Sequence, residues 1–273
     1  MTPFSLLDGA VQGVRWGQGR KVLALHGLLD NAMSFSALAE HLPGIELWAI
    51  DLPGHGESAD LPVADGQFVL SWLPRLGQVI DALDWPETII LGHSLGAMLG
   101  QLLAAVDPRI KLLLCLDGLG PAASALEDNF QRFEQLYQQR GRLIPTRYYS
   151  SFEQIVQSRQ RGQFPLSPQA AQRLAQRAIG QSPAGWYHRY DRRLRQASLW
   201  RLSEAEILYW LAQITIPVEL LVFAIDTWPD HPALFSDRQA AVAQLSTTLM
   251  RGSHHLHMEH PEPVAHWLLA RLL

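Results

Sequence analysis

The chain has 273 residues, 48% of them hydrophobic and 18% charged, which suits one large domain or one domain with an inserted second unit and excludes intrinsic disorder. A net charge of −4 argues against generic nucleic-acid binding, and no apolar run reaches the ~18–20 residues of a membrane span. One cysteine, Cys115, rules out an internal disulfide, and MTPFSLLDGA lacks the order of a signal peptide, so a cytoplasmic protein is expected.

In chain order, Phe4–Leu7 and Val11–Trp16 flank Asp8-Gly9-Ala10 and read as a hairpin. Lys21–Leu25 is an apolar strand that ends in His26-Gly27. Phe35, Leu38, Ala39 and Leu42 then recur at helical spacing. Ile45–Ile50 is a strand running into the loop Asp51-Leu52-Pro53-Gly54-His55-Gly56-Glu57-Ser58. Phe68–Leu83 is an amphipathic helix, with Pro74 kinking it or marking a break near its start. Thr88–Leu91 is a buried strand, followed by a helix, and Ile110–Leu116 is the next strand. Strand and helix alternate throughout this half, as in a parallel sheet covered on both faces.

After Gly120 the rhythm changes. Residues 122–212 are rich in Gln and Arg, with helical stretches near 126–140, 151–160, 167–178 and 203–212 and no convincing strand. Strands at Val218–Ile225 and Ser246–Met250 and helices at Gln239–Leu245 and Pro263–Leu272 close the chain. The expected organisation is a first body segment 1–120, an insert 121–212 and a second body segment 213–273. An insert at the C-terminal ends of sheet strands lies over the ligand-binding edge and is placed to act as a lid. Charge divides the same way. Residues 120–212 hold 13 Arg, no Lys and 7 Asp or Glu, a net of +6, whereas the remainder holds 9 Lys or Arg against 19 acids, −10. Two explanations stand: the insert docks on an acidic body, or the substrate is anionic.

The chemistry-bearing stretch is Gly92-His93-Ser94-Leu95-Gly96, which fits G-x-S-x-G between a strand and a helix. A serine on such a turn needs small neighbours. In return its Oγ is exposed over a helix N-terminus whose amides can stabilise an oxyanion. A hydroxyl is a weak nucleophile at neutral pH and needs a base, which is expected in a loop after the last strand. Gly252–Glu262 offers His254, His255, His257 and His260 there. A metal site competes for such a cluster and would need ligands in a defined geometry. The expectation is neither metal nor cofactor.

LHGLLDN, DLPGHGES, GHSLGAM and the terminal HxxHxExPE run resemble the α/β-hydrolase superfamily, within it the epoxide-hydrolase-related branch and especially the serine hydrolase-like proteins. The motifs cover 21–120 and 215–273; the insert matches only in position and helical character. The resemblance implies an α/β-hydrolase fold: a mostly parallel eight-stranded sheet flanked by helices, with a helical lid before the strand at 218–225. It implies Ser94 as nucleophile and His254, seven residues before Pro261, as base, with Ser253 where glycine is usual. It leaves the acid open. Asp226 ends the strand where the superfamily usually places it, although a reading from Ala224 puts Thr227 at that position. Asp117 ends the strand after the nucleophile's helix and is preferred; Asp230 is a third option. The oxyanion donors are the backbone N–H groups of Leu28 and Leu95. His26 and His55 are expected to brace loops, while His255, His257 and His260 are expected as loop packing or surface residues.

Asp30 and Asn31 are pocket candidates, with helix capping as the alternative. The insert carries Phe130, Phe133, Tyr137, Tyr148, Tyr149, Phe152, Phe164, Trp186, Tyr187, Tyr190, Trp200, Tyr209 and Trp210. Most are expected in its core and a few over the pocket. Tyr148 and Tyr149 invite comparison with the lid tyrosines of epoxide hydrolases, but those enzymes attack with aspartate. The first reading is therefore acyl transfer on a carboxylic ester or similar small molecule, neutral or anionic. Carbon–carbon bond hydrolysis or cofactor-free oxygenation on the same triad is the second, and a non-catalytic binder the third. Oligomeric state is not legible.

Overall fold

The computed structural model describes residues 1–60, 69–138, 144–161, 164–196, 198, 201–223 and 232–273, without the side chains of 69 and 232–234. Trp200, Ala224, Asp226, Thr227 and Asp230 lie outside the described residues. Eight strands form one sheet: β1 (Thr2–Leu6), β2 (Val11–Gly17), β3 (Arg20–Leu25), β4 (Ile45–Ile50), β5 (Thr88–His93), β6 (Ile110–Leu116), β9 (Val218–Val222) and β10 (Leu245–Leu249). Their spatial order is β1-β2-β4-β3-β5-β6-β9-β10. Only β2 runs antiparallel to its neighbours, β1 and β4; every other pairing is parallel. This is the expected mostly parallel, eight-stranded sheet.

Burial follows from the order. β5, with β3 and β6 on its sides, is buried at every residue, which is why its sequence is apolar rather than alternating. β10 lies at an edge, and its Ser-Thr-Thr centre is polar. Side chains alternate between two cores. Leu23, Leu25, Ile90, Leu113 and Leu220 face α2 (Leu73–Leu83), α3 (Leu95–Ala104) and α7 (Glu204–Leu211). Val22, Ala24, Leu91, Leu114 and Leu221 face the turn at Ala32–Phe35, α1 (Ser36–Ala39) and α10 (Pro261–Leu272). The helix read over Phe35–Leu42 is thus a 3₁₀ turn followed by a single α-turn. Pro74 sits in the first turn of α2, where its missing N–H costs nothing. Trp210 of α7 donates from Nε1 to the Leu102 carbonyl of α3 at 3.1 Å, so α7 packs as part of the body.

Between β6 and β9 come α4 (Leu126–Gln138), α5 (Phe152–Arg159) and α6 (Pro168–Ala178), near the expected helical stretches. Ser151 and Ser167 cap the last two with their hydroxyls. One feature corrects the sequence reading, which had no strand here. β7 (Ile179–Ser182) and β8 (Gly185–His188) form an antiparallel hairpin. Its strands are four residues long, too short to display alternation, and the clue was its turn: Pro183 inside it and Gly185 at φ 126°. α8 (Pro232–Ala241) lies before β10, earlier than expected, and α9 (Leu256–Glu259) precedes α10. Among the described residues no helix is long and apolar enough to cross a membrane.

Among the described residues, four of the insert's thirteen arginines face carboxylates of the body. Arg159 pairs with Asp30 at 2.5 Å, Arg173 with Glu40 at 2.6 Å, and Arg177 with Asp51 at 2.6 Å and Glu57 at 2.8 Å. Arg189 lies 3.5 Å from Glu57. Of the two explanations for the uneven charge, docking is therefore visible.

Candidate active site

β5 ends at His93, and Ser94 takes φ 50°, ψ −114° before α3 begins at Leu95. A non-glycine residue pays strain to sit there, and strain of this kind is held only where packing enforces it. The enforcement is visible at the neighbouring glycines. A Cβ on Gly96 would stand 1.9 Å from the Leu25 carbonyl oxygen, and one on Gly92 would stand 2.4 Å from the Ala97 nitrogen. The start of α3 therefore lies directly on the end of β3. That contact makes neighbours of Leu95 and the turn that carries Leu28. The Ser94 amide donates to the Leu116 carbonyl at 2.9 Å, tying the turn to β6.

Asp117 follows β6 directly. It is buried, 4% exposed, with φ 51°. Its Oδ1 accepts the Phe223 amide at 2.9 Å, and its Oδ2 accepts from Nδ1 of His254 at 2.6 Å. With its Nδ1 proton committed, a neutral His254 keeps the Nε2 lone pair free to accept a proton. Gly118 packs on Ser94: a Cβ there would stand 2.8 Å from the Ser94 carbonyl oxygen. Of the three residues that the sequence singled out, Asp117 and His254 are thus in contact, and Ser94 stands at the end of the neighbouring strand, against the residue after Asp117. The alternative acid, Asp226, lies outside the described residues.

His26 and His55 hold the loops that frame the turn after β3. His26 Nδ1 donates to the Gly27 carbonyl at 2.8 Å, and its Nε2 accepts the Leu52 amide at 2.9 Å. His55 Nδ1 donates to the Pro53 carbonyl at 3.0 Å, while its Nε2 accepts the Leu29 amide at 3.1 Å. Burial holds both neutral, with pKa values pushed down to about 4 and about 3. Both therefore brace loops. Leu29 itself has φ 62°, and the Asp30 amide donates to the Gly27 carbonyl at 3.1 Å, closing the turn around Leu28.

The remaining histidines divide by burial. His255 is 5% exposed and His257 fully buried, whereas His260 is exposed. His93 is the residue that sequence reasoning missed. Its Nε2 donates to the His254 carbonyl at 2.8 Å, linking the nucleophile's turn to the base's loop. Its ring lies 4.2 Å from that of His257 between centroids, and burial holds its pKa well below the usual range. A histidine ending an otherwise apolar, fully buried strand was the available signal. Among the described residues no group of three or more His, Cys, Asp or Glu side chains is arranged to hold a metal ion.

Asn31 caps the 3₁₀ turn, its Oδ1 accepting the Met33 amide at 2.9 Å, and its Nδ2 donates to the Leu174 carbonyl of α6 at 3.0 Å. Asp30 is buried and faces Arg159, His255 and His93. Tyr148 and Tyr149 engage the insert's hairpin. Tyr149 exchanges two backbone hydrogen bonds with Trp186, and Tyr148 sets its ring edge-on to Tyr187 at 6.0 Å. The insert ring set against His254 is Phe164.

A mostly parallel sheet with helices on both faces and a strained serine turn between strand and helix form the architecture of the class to which the comparisons lead. The family model described as the alpha/beta hydrolase family matches residues 22–267, and this chain belongs to that family. A serine hydrolase-like protein of Dictyostelium discoideum is 30% identical over 89% of this chain and 73% of its own length. A serine hydrolase-like protein of Danio rerio is 28% identical over 94% of this chain and 83% of its own. Among solved structures, a hypothetical protein of Pseudomonas aeruginosa PAO1 superposes with a TM-score of 0.86 at 31% identity, covering 96% of this chain and 93% of that one. A thioesterase domain from the curacin biosynthetic pathway shares the fold, with a TM-score of 0.81 at 23% identity over 95% and 94% of the two chains.

Proposed function

We propose that this chain is a serine hydrolase that cleaves a carboxylic ester or related acyl substrate through an acyl-enzyme. In this reading Ser94 Oγ attacks the carbonyl carbon, and His254 Nε2 takes its proton. The N–H groups of Leu28 and Leu95 hold the oxyanion. His254 returns the proton to the leaving group, then activates the water that releases the acid. Asp117 fixes the tautomer of His254 and stabilises its charged form. The observation that carries the reading is the 2.6 Å contact between His254 Nδ1 and Asp117 Oδ2, in a carboxylate whose other oxygen is already satisfied. The part of the insert that carries α4, α5, α6 and the β7–β8 hairpin acts as the lid in this scheme, with α7 packed on the body. Because Arg159, Arg173 and Arg177 are paired with body carboxylates, a neutral small-molecule substrate is favoured over an anionic one. The single, buried Cys115 suits a reducing compartment such as the cytoplasm.

Labelling with a fluorophosphonate probe, followed by a panel of esters of graded acyl length, tests this. The wild-type chain should label at Ser94 and turn over at least one ester, and Ser94→Ala should lose about a million-fold in kcat. A Ser94→Ala variant of near-normal activity, or a wild-type chain that resists the probe, overturns it.

A further inference from the structure

We propose that Arg159, in the insert, is a positioning residue for the oxyanion turn, acting through the buried carboxylate of Asp30. The inference rests on the reading of Leu28 as an oxyanion donor. It assigns to the insert a part in the chemistry besides covering it.

The turn Gly27–Asp30 is short and must hold one amide in a fixed direction. Leu28 does not anchor it, because its side chain is 49% exposed. What holds the turn is the Asp30 amide on the Gly27 carbonyl and His55 on the Leu29 amide, and the Asp30 side chain ties the end of the turn to Arg159. That carboxylate is 3% exposed. Oδ1 accepts from Arg159 NH2 at 2.5 Å. Oδ2 is buried without a hydrogen bond; the groups facing it are His255 Nε2 at 3.4 Å and His93 Nδ1 at 3.9 Å. His93 cannot supply a proton from that side, since its ring hydrogen is on Nε2 and is given to the His254 carbonyl.

Arg159 thus gives the hydrogen bond to Oδ1 of a carboxylate that folding has removed from water, while His255 faces its other oxygen. Arg159 comes from α5, 129 residues along the chain. A buried ion deprived of its partner either takes up a proton or moves toward solvent. For Asp30 both outcomes alter the residue that closes the oxyanion turn. Asp30 also faces His255, which adjoins His254, so the same charge touches the loop that carries the base. Docking of α5 and readiness of the oxyanion turn therefore become one event: an undocked insert leaves the Leu28 amide poorly aimed.

The experiment compares wild type with Arg159→Gln, Arg159→Lys, Asp30→Asn and the Asp30→Asn/Arg159→Gln double variant. The readouts are kcat and KM on p-nitrophenyl butyrate and amide hydrogen exchange over residues 26–35. A misaimed donor should cost Arg159→Gln up to about a hundredfold in kcat, with KM held within about twofold. Exchange across Gly27–Asp30 should quicken in the same variant. Arg159→Lys should recover part of both, and the double variant should be no worse than Arg159→Gln, because no unpaired charge remains. A raised KM with unchanged kcat would make Arg159 a substrate contact and overturn the proposal. Losses that multiply in the double variant, or unaltered exchange in the turn, would overturn it equally. Should Arg159→Gln not fold, Arg159→Lys carries the comparison. If the wild type neither labels at Ser94 nor cleaves an ester, the hydrolase reading fails, while the exchange measurement still decides whether Arg159 orders the turn.

Discussion

The ring of Phe164 lies with its centroid 4.4 Å from that of His254, tilted by 34°. Phe164 belongs to the insert and His254 to the loop after β10, so one aromatic side chain joins the insert to the proposed base. Phe164→Ala removes an apolar wall beside the reacting atoms. Its kcat/KM on an apolar ester should fall about tenfold, mainly through KM, equivalent to losing about 1.4 kcal/mol of contact. Phe164→Leu should fall between. Steady-state kinetics on the three chains checks this.

Asp117 and Asp226 can be separated by exchanging each for asparagine. Asp117→Asn keeps the shape of a group that accepts the Phe223 amide, but it unsettles the tautomer of His254. Its kcat should drop roughly ten-thousand-fold. Asp226→Asn should stay within a few-fold of wild type. The reverse ranking would move the acid to Asp226.

Gly96 admits no side chain. An added Cβ would need α3 and the end of β3 to separate, since it would stand 1.9 Å from the Leu25 carbonyl oxygen. Gly96→Ala should lose roughly 1–3 kcal/mol of stability from overpacking. It should lose activity out of proportion to that, because the same separation pulls Leu95 from Leu28. Urea unfolding and ester turnover measure the two effects independently.

Two arginines on one helix, α6, should differ sharply in worth. Arg177 is 9% exposed at its side chain and Asp51 is 0%, whereas the Arg173–Glu40 pair is 35% and 57% exposed. Arg177→Met strands Asp51 in the interior and should cost about 3–5 kcal/mol. Arg173→Met should cost at most about 1 kcal/mol, and less in high salt. Denaturant titrations of both variants at low and high salt test the contrast.

Acid should weaken the fold before it protonates most carboxylates. Burial depresses the pKa of His26 to about 4 and those of His55 and His257 to about 3, from an ordinary value of 6.5. Below pH 6.5 the unfolded chain binds protons that the folded chain refuses, so stability is full above pH 6.5 and falls as pH drops toward 4. Each such histidine contributes roughly 2–4 kcal/mol over that window. Unfolding free energies measured from pH 7 to 4.5 should show this slope, and His26→Gln should flatten it.

The parts of the site legible in the sequence were those made locally. Strand, glycine, serine, glycine and helix follow one another in the chain, and their chemistry follows from that adjacency. The family resemblance pointed to His254, through its spacing from Pro261. The acid was not legible in this way, because Asp117 and Asp226 both end strands and only distance to His254 in space distinguishes a partner. His93 hid inside the motif as its variable position. Arg159 and Arg177 hid among thirteen arginines of the insert, since nothing in a Gln/Arg-rich stretch marks which of them reach buried carboxylates of the body. The β7–β8 hairpin escaped because its strands are shorter than the period needed to recognise them.

The sheet order has a consequence for how the molecule comes into being. β5, its turn and α3 are contiguous, so the strained serine can form soon after that stretch is available. Asp117 meets the Phe223 amide across 106 residues and the His254 imidazole across 137. Those contacts wait on the closure of long loops, which is intrinsically slow. On the proposed mechanism a growing chain therefore carries its nucleophile well before it carries a base to awaken it. On that mechanism, until the last strand and the loop after it have docked, the serine is an ordinary alcohol, and the protein is chemically silent while it is still being made.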